Sequence, residues 1–169
     1  MTTDDLDDVR VVPDGDTWTL IFIRDLSHPP KAVWAALTDP AELDRWAPFR
    51  PSRDLGTTGH ATLTMVDGDR EEDLPAEVRR VEPPVLLEHT WGEDLLRWEL
   101  EPFGDGTRLT LRHTVTDPDV APFAAGWHIC LDQMDQHLAG ADVQAVRGEE
   151  AREHGWAELR AAYAEKLRT

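Results

Sequence analysis

Residues 87–115 read LEHTWGEDLLRWELEPFGDGTRLTLRHTV. Apolar or aromatic side chains recur at every second position in three runs: Leu87, His89 and Trp91, then Leu96, Trp98 and Leu100, then Leu109, Leu111 and His113. Alternation of this kind puts one set of side chains on one face of a strand. Gly92-Glu93-Asp94 and Gly104-Asp105-Gly106 separate the runs. Connections so short join antiparallel neighbours, so the stretch is an antiparallel meander.

The same pattern extends upstream. Ala61, Leu63 and Met65 lead to an Asp67-Gly68-Asp69 turn, and Ala76 and Val78 lead to Glu82-Pro83-Pro84. Five consecutive strands are thus expected between Gly59 and Val115. Farther back, Trp18, Leu20 and Phe22 alternate with Thr17, Thr19 and Ile21 in a run that reaches Leu26, which adds a first strand.

Helical spacing fills the gaps. Pro30 suits a first helical turn and is followed by Val33, Trp34 and Leu37. Asp39-Pro40 starts a second short helix as N-cap and N1, with Leu43 and Trp46 on one side before Pro48 stops it. After Asp117-Pro118, Phe123, Trp127, Cys130, Leu131, Met134 and Leu138 fall in a stripe about 80° wide at 100° per residue, ended by Gly140. Trp156, Leu159, Tyr163 and Leu167, preceded by Glu149, Glu150 and Glu153, mark a terminal helix.

The expected class is α+β: a curved antiparallel sheet of about six strands wrapped around one long helix, with a short helix-loop-helix after the first strand and an extra helix at the end. Residues 1–16, with six aspartates and a Pro13-Asp-Gly-Asp16 turn, read as an acidic flexible tail. Residues 17–140 form the domain, and 141–169 a helical extension packed on it.

Thirty-four acidic against seventeen basic residues give a formal charge of −17, which repels nucleic-acid backbones and anionic lipid surfaces. Neither partner is expected. No apolar run approaches the roughly 18 residues of a membrane span, and the acidic start lacks the features of a secretory signal. With a single cysteine, Cys130, the reading is a soluble, cytoplasmic protein without an internal disulfide. A homodimer is left open.

Ala32-Val-Trp-Ala-Ala-Leu-Thr-Asp-Pro40, continuing to Leu43 and Trp46, resembles the helix-loop-helix of the polyketide-cyclase/START (SRPBCC) superfamily. Leu87-Glu-His-Thr-Trp-Gly92, Trp98-Glu-Leu-Glu-Pro102, Gly106-Thr-Arg-Leu-Thr-Leu-Arg-His113 and Gly126-Trp127 resemble its branch named after the activator of Hsp90 ATPase. The similarity spans about residues 17–140. It implies the START-like helix-grip fold with a ligand cavity between sheet and long helix. The eukaryotic chaperone activator also carries a separate N-terminal domain, which 169 residues do not accommodate, so an Hsp90-type chaperone is not the expected partner.

The sequence contains no Walker loop, GxGxxG, HExxH, CxxC or GxSxG motif. No cofactor and no metal are expected. His89 and His113 share parity with Trp91 and Leu111 and so point inward, where a histidine serves as a satisfied core residue, an orienting group or a general base. His128, Asp132 and Asp135 lie on a flank of the long helix and are expected at the surface, while Cys130 is expected in the core. Seven tryptophans against one tyrosine supply rings that either fill the core or stack on a flat ligand.

The sequence is therefore read as a non-catalytic protein that binds a small apolar or aromatic molecule. Its expected site comprises Leu63, Met65, His89, Trp91, Trp98, Leu111 and His113 from the sheet and Trp127, Leu131 and Met134 from the long helix, with Trp46 and Phe49 at the mouth. The alternatives are an acid–base enzyme of cyclase or hydrolase type using an inward histidine, and a chaperone-interacting or other protein-binding module.

Overall fold

The computed structural model describes residues 8–67, 69–147 and 150–167. Strands β1 (Asp8–Asp14) and β2 (Thr17–Leu26) precede helices α1 (Pro30–Thr38) and α2 (Pro40–Trp46). Strands β3 (Phe49–Pro51), β4 (Gly59–Asp67), β5 (Arg70–Glu82), β6 (Leu86–Trp91), β7 (Asp94–Phe103) and β8 (Gly106–Val115) follow. Helices α3 (Ala121–Leu138), α4 (Glu150–Glu153) and α5 (Trp156–Lys166) complete the chain. The strands make one antiparallel sheet in the order β1-β2-β8-β7-β6-β5-β4-β3.

The α+β class, the meander and the long helix agree with the sequence reading, but the sheet has eight strands rather than about six. The two extra strands are its edges. Residues 8–14, expected within a loose tail, pair with β2 from Asp8↔Ile23 to Asp14↔Thr17, and Val9 is buried. Gly15-Asp16, with Gly15 at φ +62°, makes a two-residue hairpin connection. Residues 1–7 of that tail, Gly68 of the second turn and Glu149 lie outside the described residues. β3 is three residues long, too short to show a period.

Local signals place the helices. Asp39 caps α2, its Oδ1 accepting from the Ala41 N–H at 2.9 Å, and Pro40 occupies the first turn. Gly106 starts β8 where it passes β2 so closely that a Cβ would stand 2.0 Å from the Leu26 carbonyl oxygen; only glycine fits. Helix α3 packs on the sheet through Trp127, whose ring meets Trp91, Trp98 and His113 of β6, β7 and β8. Its other side carries α5: Leu159 and Tyr163 are buried, and the Tyr163 ring lies 6.1 Å from Phe22. Among the described residues no helix is long and apolar enough to cross a membrane.

Candidate functional site

The inward side chains close on one another. Trp46, Trp98, Trp127, Trp91 and Phe49 form a chain of tilted or edge-to-face contacts with centroids 5.2–5.9 Å apart. Such pairs contribute about 0.5–1.5 kcal/mol each beyond their buried area. Trp46, Phe49, Leu63, His89, Trp98, Leu111, His113, Trp127, Leu131 and Met134 are each at most 3% exposed. The middle of the space between helix and sheet, where the sequence reading put the cavity, is filled by these rings, and open volume lies toward one end of it.

Trp46 and Phe49 are therefore not at a mouth. α2 turns Trp46 back on α1, where its N–H donates to the Ala36 carbonyl at 2.9 Å. Phe49, in β3, packs between Trp91 and His89.

The two inward histidines serve the tryptophans. Trp127 Nε1–H donates to His113 Nδ1 at 3.0 Å, so that nitrogen is bare, and the hydrogen on Nε2 is donated to Asp94 Oδ2 at 2.8 Å. Trp98 Nε1–H donates to His89 Nε2 at 3.3 Å, and His89 Nδ1–H donates to the Thr90 carbonyl at 3.0 Å. Burial pushes the His89 pKa down to about 4, against a smaller opposing effect of that carbonyl, so the ring is neutral.

On the flank of α3, Asp132 and Asp135 are exposed as expected, and His128 departs from expectation. His128 is buried beneath α5, with Nδ1 2.7 Å from the Tyr163 hydroxyl, and not exposed. Asp132 pairs with Arg24 at 2.8 Å and lies 3.5 Å from His128 Nε2, while Asp135 approaches His28 at 3.4 Å. Cys130 is buried as expected, and burial pushes its thiol up to about 12, which keeps it protonated.

Open volume lies at one end of α3. A cleft of about 850 Å³ is bounded by Met65, Val66 and the start of β5, by Trp91, by Phe123, Gly126, Trp127, Ile129 and Cys130 of α3, and by Val146, Arg147, Ala151 and Trp156 of the C-terminal extension. That volume is within the range of small-molecule sites, roughly 300–1,000 Å³. Of the residues expected to bind ligand, Met65, Trp91 and Trp127 line it; the others are core. Trp91 Nε1–H is held by Met65 Sδ at 3.3 Å.

Sequence reasoning missed Gly126, Ile129, Arg147 and Trp156 as site residues. Gly126 carried a signal, because a glycine inside a helix costs about 1 kcal/mol relative to alanine. A Cβ at Gly126 would meet nothing within 4 Å, so its missing side chain leaves the cleft open. Arg147 comes from an irregular segment, residues 141–147, tied to α2. Its Nε–H donates to the Ala47 carbonyl at 2.9 Å and its side chain is 10% exposed. No group of three or more His, Cys, Asp and Glu side chains able to hold a metal ion occurs among the described residues.

The profile of the family described as Activator of Hsp90 ATPase homolog 1-like protein matches residues 27–139. Among solved structures, a conserved protein of unknown function from Enterococcus faecalis superposes with a TM-score of 0.72 at 19% identity, covering 94% of this chain and 90% of that one. CalU16 from Micromonospora echinospora gives 0.70 at 23% identity, covering 94% and 95%. The AHSA1-like protein from Aeromonas hydrophila gives 0.59 at 21% identity, covering 72% and 92%. These likenesses show the fold. No curated protein matches the chain.

Proposed function

The chain belongs to the Activator of Hsp90 ATPase homolog 1-like family, within the START-like superfamily, and from that premise we propose that it binds a small, flat apolar or aromatic molecule in the cleft beside Gly126, without catalysis. The observation that carries this reading is the glycine itself. Helix α3 gives up about 1 kcal/mol of helical propensity at a position where a side chain would meet no steric obstacle. The space so kept is walled by the rings of Trp91, Phe123, Trp127 and Trp156. Aromatic walls suit a greasy or planar ligand, and the charged side chains of Asp67, Arg70, Glu71, Glu72 and Arg147 border the same cleft.

Both ring nitrogens of His89 and of His113 are engaged inside the protein, and neither residue borders the cleft. This favours binding over acid–base chemistry, which needs a ring nitrogen within reach of the ligand. Native mass spectrometry of freshly purified protein tests the proposal. The expected spectrum shows a one-to-one adduct that N-phenyl-1-naphthylamine displaces. A protein that carries no adduct and also takes up none of that probe overturns it.

A further inference from the structure

We infer that the ligand of this cleft is an organic anion, an aromatic body carrying a carboxylate or similar group, whose charge is received by Arg147. The inference rests on the binding function proposed above and adds to it the chemical class of the ligand.

Arg147 is a cation held nine-tenths out of water at the wall of the cleft. Desolvation disfavours its charged form, yet a guanidinium keeps its proton in any protein, so the charge stays and needs compensation. The compensation present is incomplete. Asp44 Oδ1 lies 3.4 Å from Nη1, while the same oxygen takes a shorter 2.8 Å bond from Arg50. One carboxylate, half exposed, thus serves two guanidinium groups.

The donor inventory agrees. Of the five N–H bonds of Arg147, three are matched: Nε to the Ala47 carbonyl at 2.9 Å, Nη1 to Asp44 Oδ1 and Nη2 to the Asp44 carbonyl, both at 3.4 Å. The remaining two hydrogens, one on each terminal nitrogen, have no acceptor among the described residues. A carboxylate or sulfonate can accept from both.

The surroundings set an orientation. Asp67, Arg70, Glu71 and Glu72 of the β4–β5 hairpin also line the cleft, and the net negative charge of that hairpin end disfavours an anion there. With a formal charge of −17, the protein as a whole also disfavours anions, so a preference for one must come from a local cation. An anionic ligand is accordingly expected to lay its rings along Trp127 and Trp91 with its charged end toward the C-terminal extension.

Two probes that differ by one sulfonate test this: 1-anilinonaphthalene-8-sulfonate and neutral N-phenyl-1-naphthylamine, titrated by energy transfer from tryptophan. The wild-type protein is expected to bind the sulfonate more tightly than the neutral probe. Arg147→Gln should weaken the sulfonate roughly tenfold, as loss of a charge-assisted pair does, while the neutral probe stays within about twofold. Arg147→Lys should restore part of the loss. A wild-type protein that binds the neutral probe as well as or better than the sulfonate overturns the inference, and this arm needs no variant. Equal weakening of both probes by Arg147→Gln also overturns it, because Arg147 then only positions the wall. Binding of neither probe overturns instead the proposed function on which the inference rests.

Discussion

His89 is neutral because its ring is enclosed and its Nε2 must accept the Trp98 N–H. Its pKa is about 4 in the folded protein against 6.5 for a free side chain. Between those values the unfolded chain binds a proton that the folded chain does not. The stabilising effect is complete above pH 6.5 and is lost as pH falls toward 4, at about 1.4 kcal/mol per pH unit or roughly 3 kcal/mol in all. The stability gap between wild type and His89→Gln should narrow by that amount between pH 7 and pH 4; parallel denaturation curves would show the ring to be protonated in place. Gly106→Ala should cost about 2 kcal/mol or more in the same measurement, since the Leu26 carbonyl occupies the new methyl's position. A near-neutral result would mean that β2 and β8 can separate there. At this scale, parity told which histidines point inward but not what holds them. His128 looked exposed because its cover, Tyr163, comes from a helix 35 residues away in sequence.

Elements with several repeats of their period were legible, and the edges were not. The strands from β4 to β8 and the helix α3 each repeat their pattern often enough to be read directly. In β1, the alternation of Val9 and Val11 is short and lies among aspartates, so composition outweighed period. β1 covers the free edge of β2 and buries Val9. Deleting residues 1–14 should therefore lower stability by about 2 kcal/mol, a buried valine together with its ladder of hydrogen bonds, readable as a lower urea midpoint. An unchanged midpoint would show that β1 contributes nothing to the fold. In α3 the expectation is the reverse. Gly126→Leu should raise stability by up to about 1 kcal/mol, as helical propensity improves and the new side chain enters open space; destabilisation would mean that the cleft is closed in solution.

Across the whole molecule, the site is assembled from four distant segments: the β4–β5 hairpin around Met65 and Val66, the end of β6 at Trp91, the first turns of α3 around Gly126, and the C-terminal extension around Arg147 and Trp156. Sequence periodicity separates the inner from the outer face of a sheet but carries no information on depth along a strand. Leu63 and Leu111, of the correct strand parity, and Leu131 and Met134, on the apolar stripe of α3, therefore proved to be core, while Met65, Trp91 and Trp127 reach the open end. Arg147 and Trp156 were invisible to that reasoning because the extension approaches the cleft only after the chain has folded back along α3. Binding in this cleft and packing of this core are consequently separable by a single side chain. The most direct test is titration of N-phenyl-1-naphthylamine into the wild-type protein and the Gly126→Leu variant, with urea denaturation of both. The expected result is saturable one-to-one binding by the wild type and loss of at least about tenfold in affinity by a variant that is equally or more stable, a buried leucine now filling the ligand's space. Equal affinity of the two proteins for the probe would contradict the assignment of the cleft as the binding site.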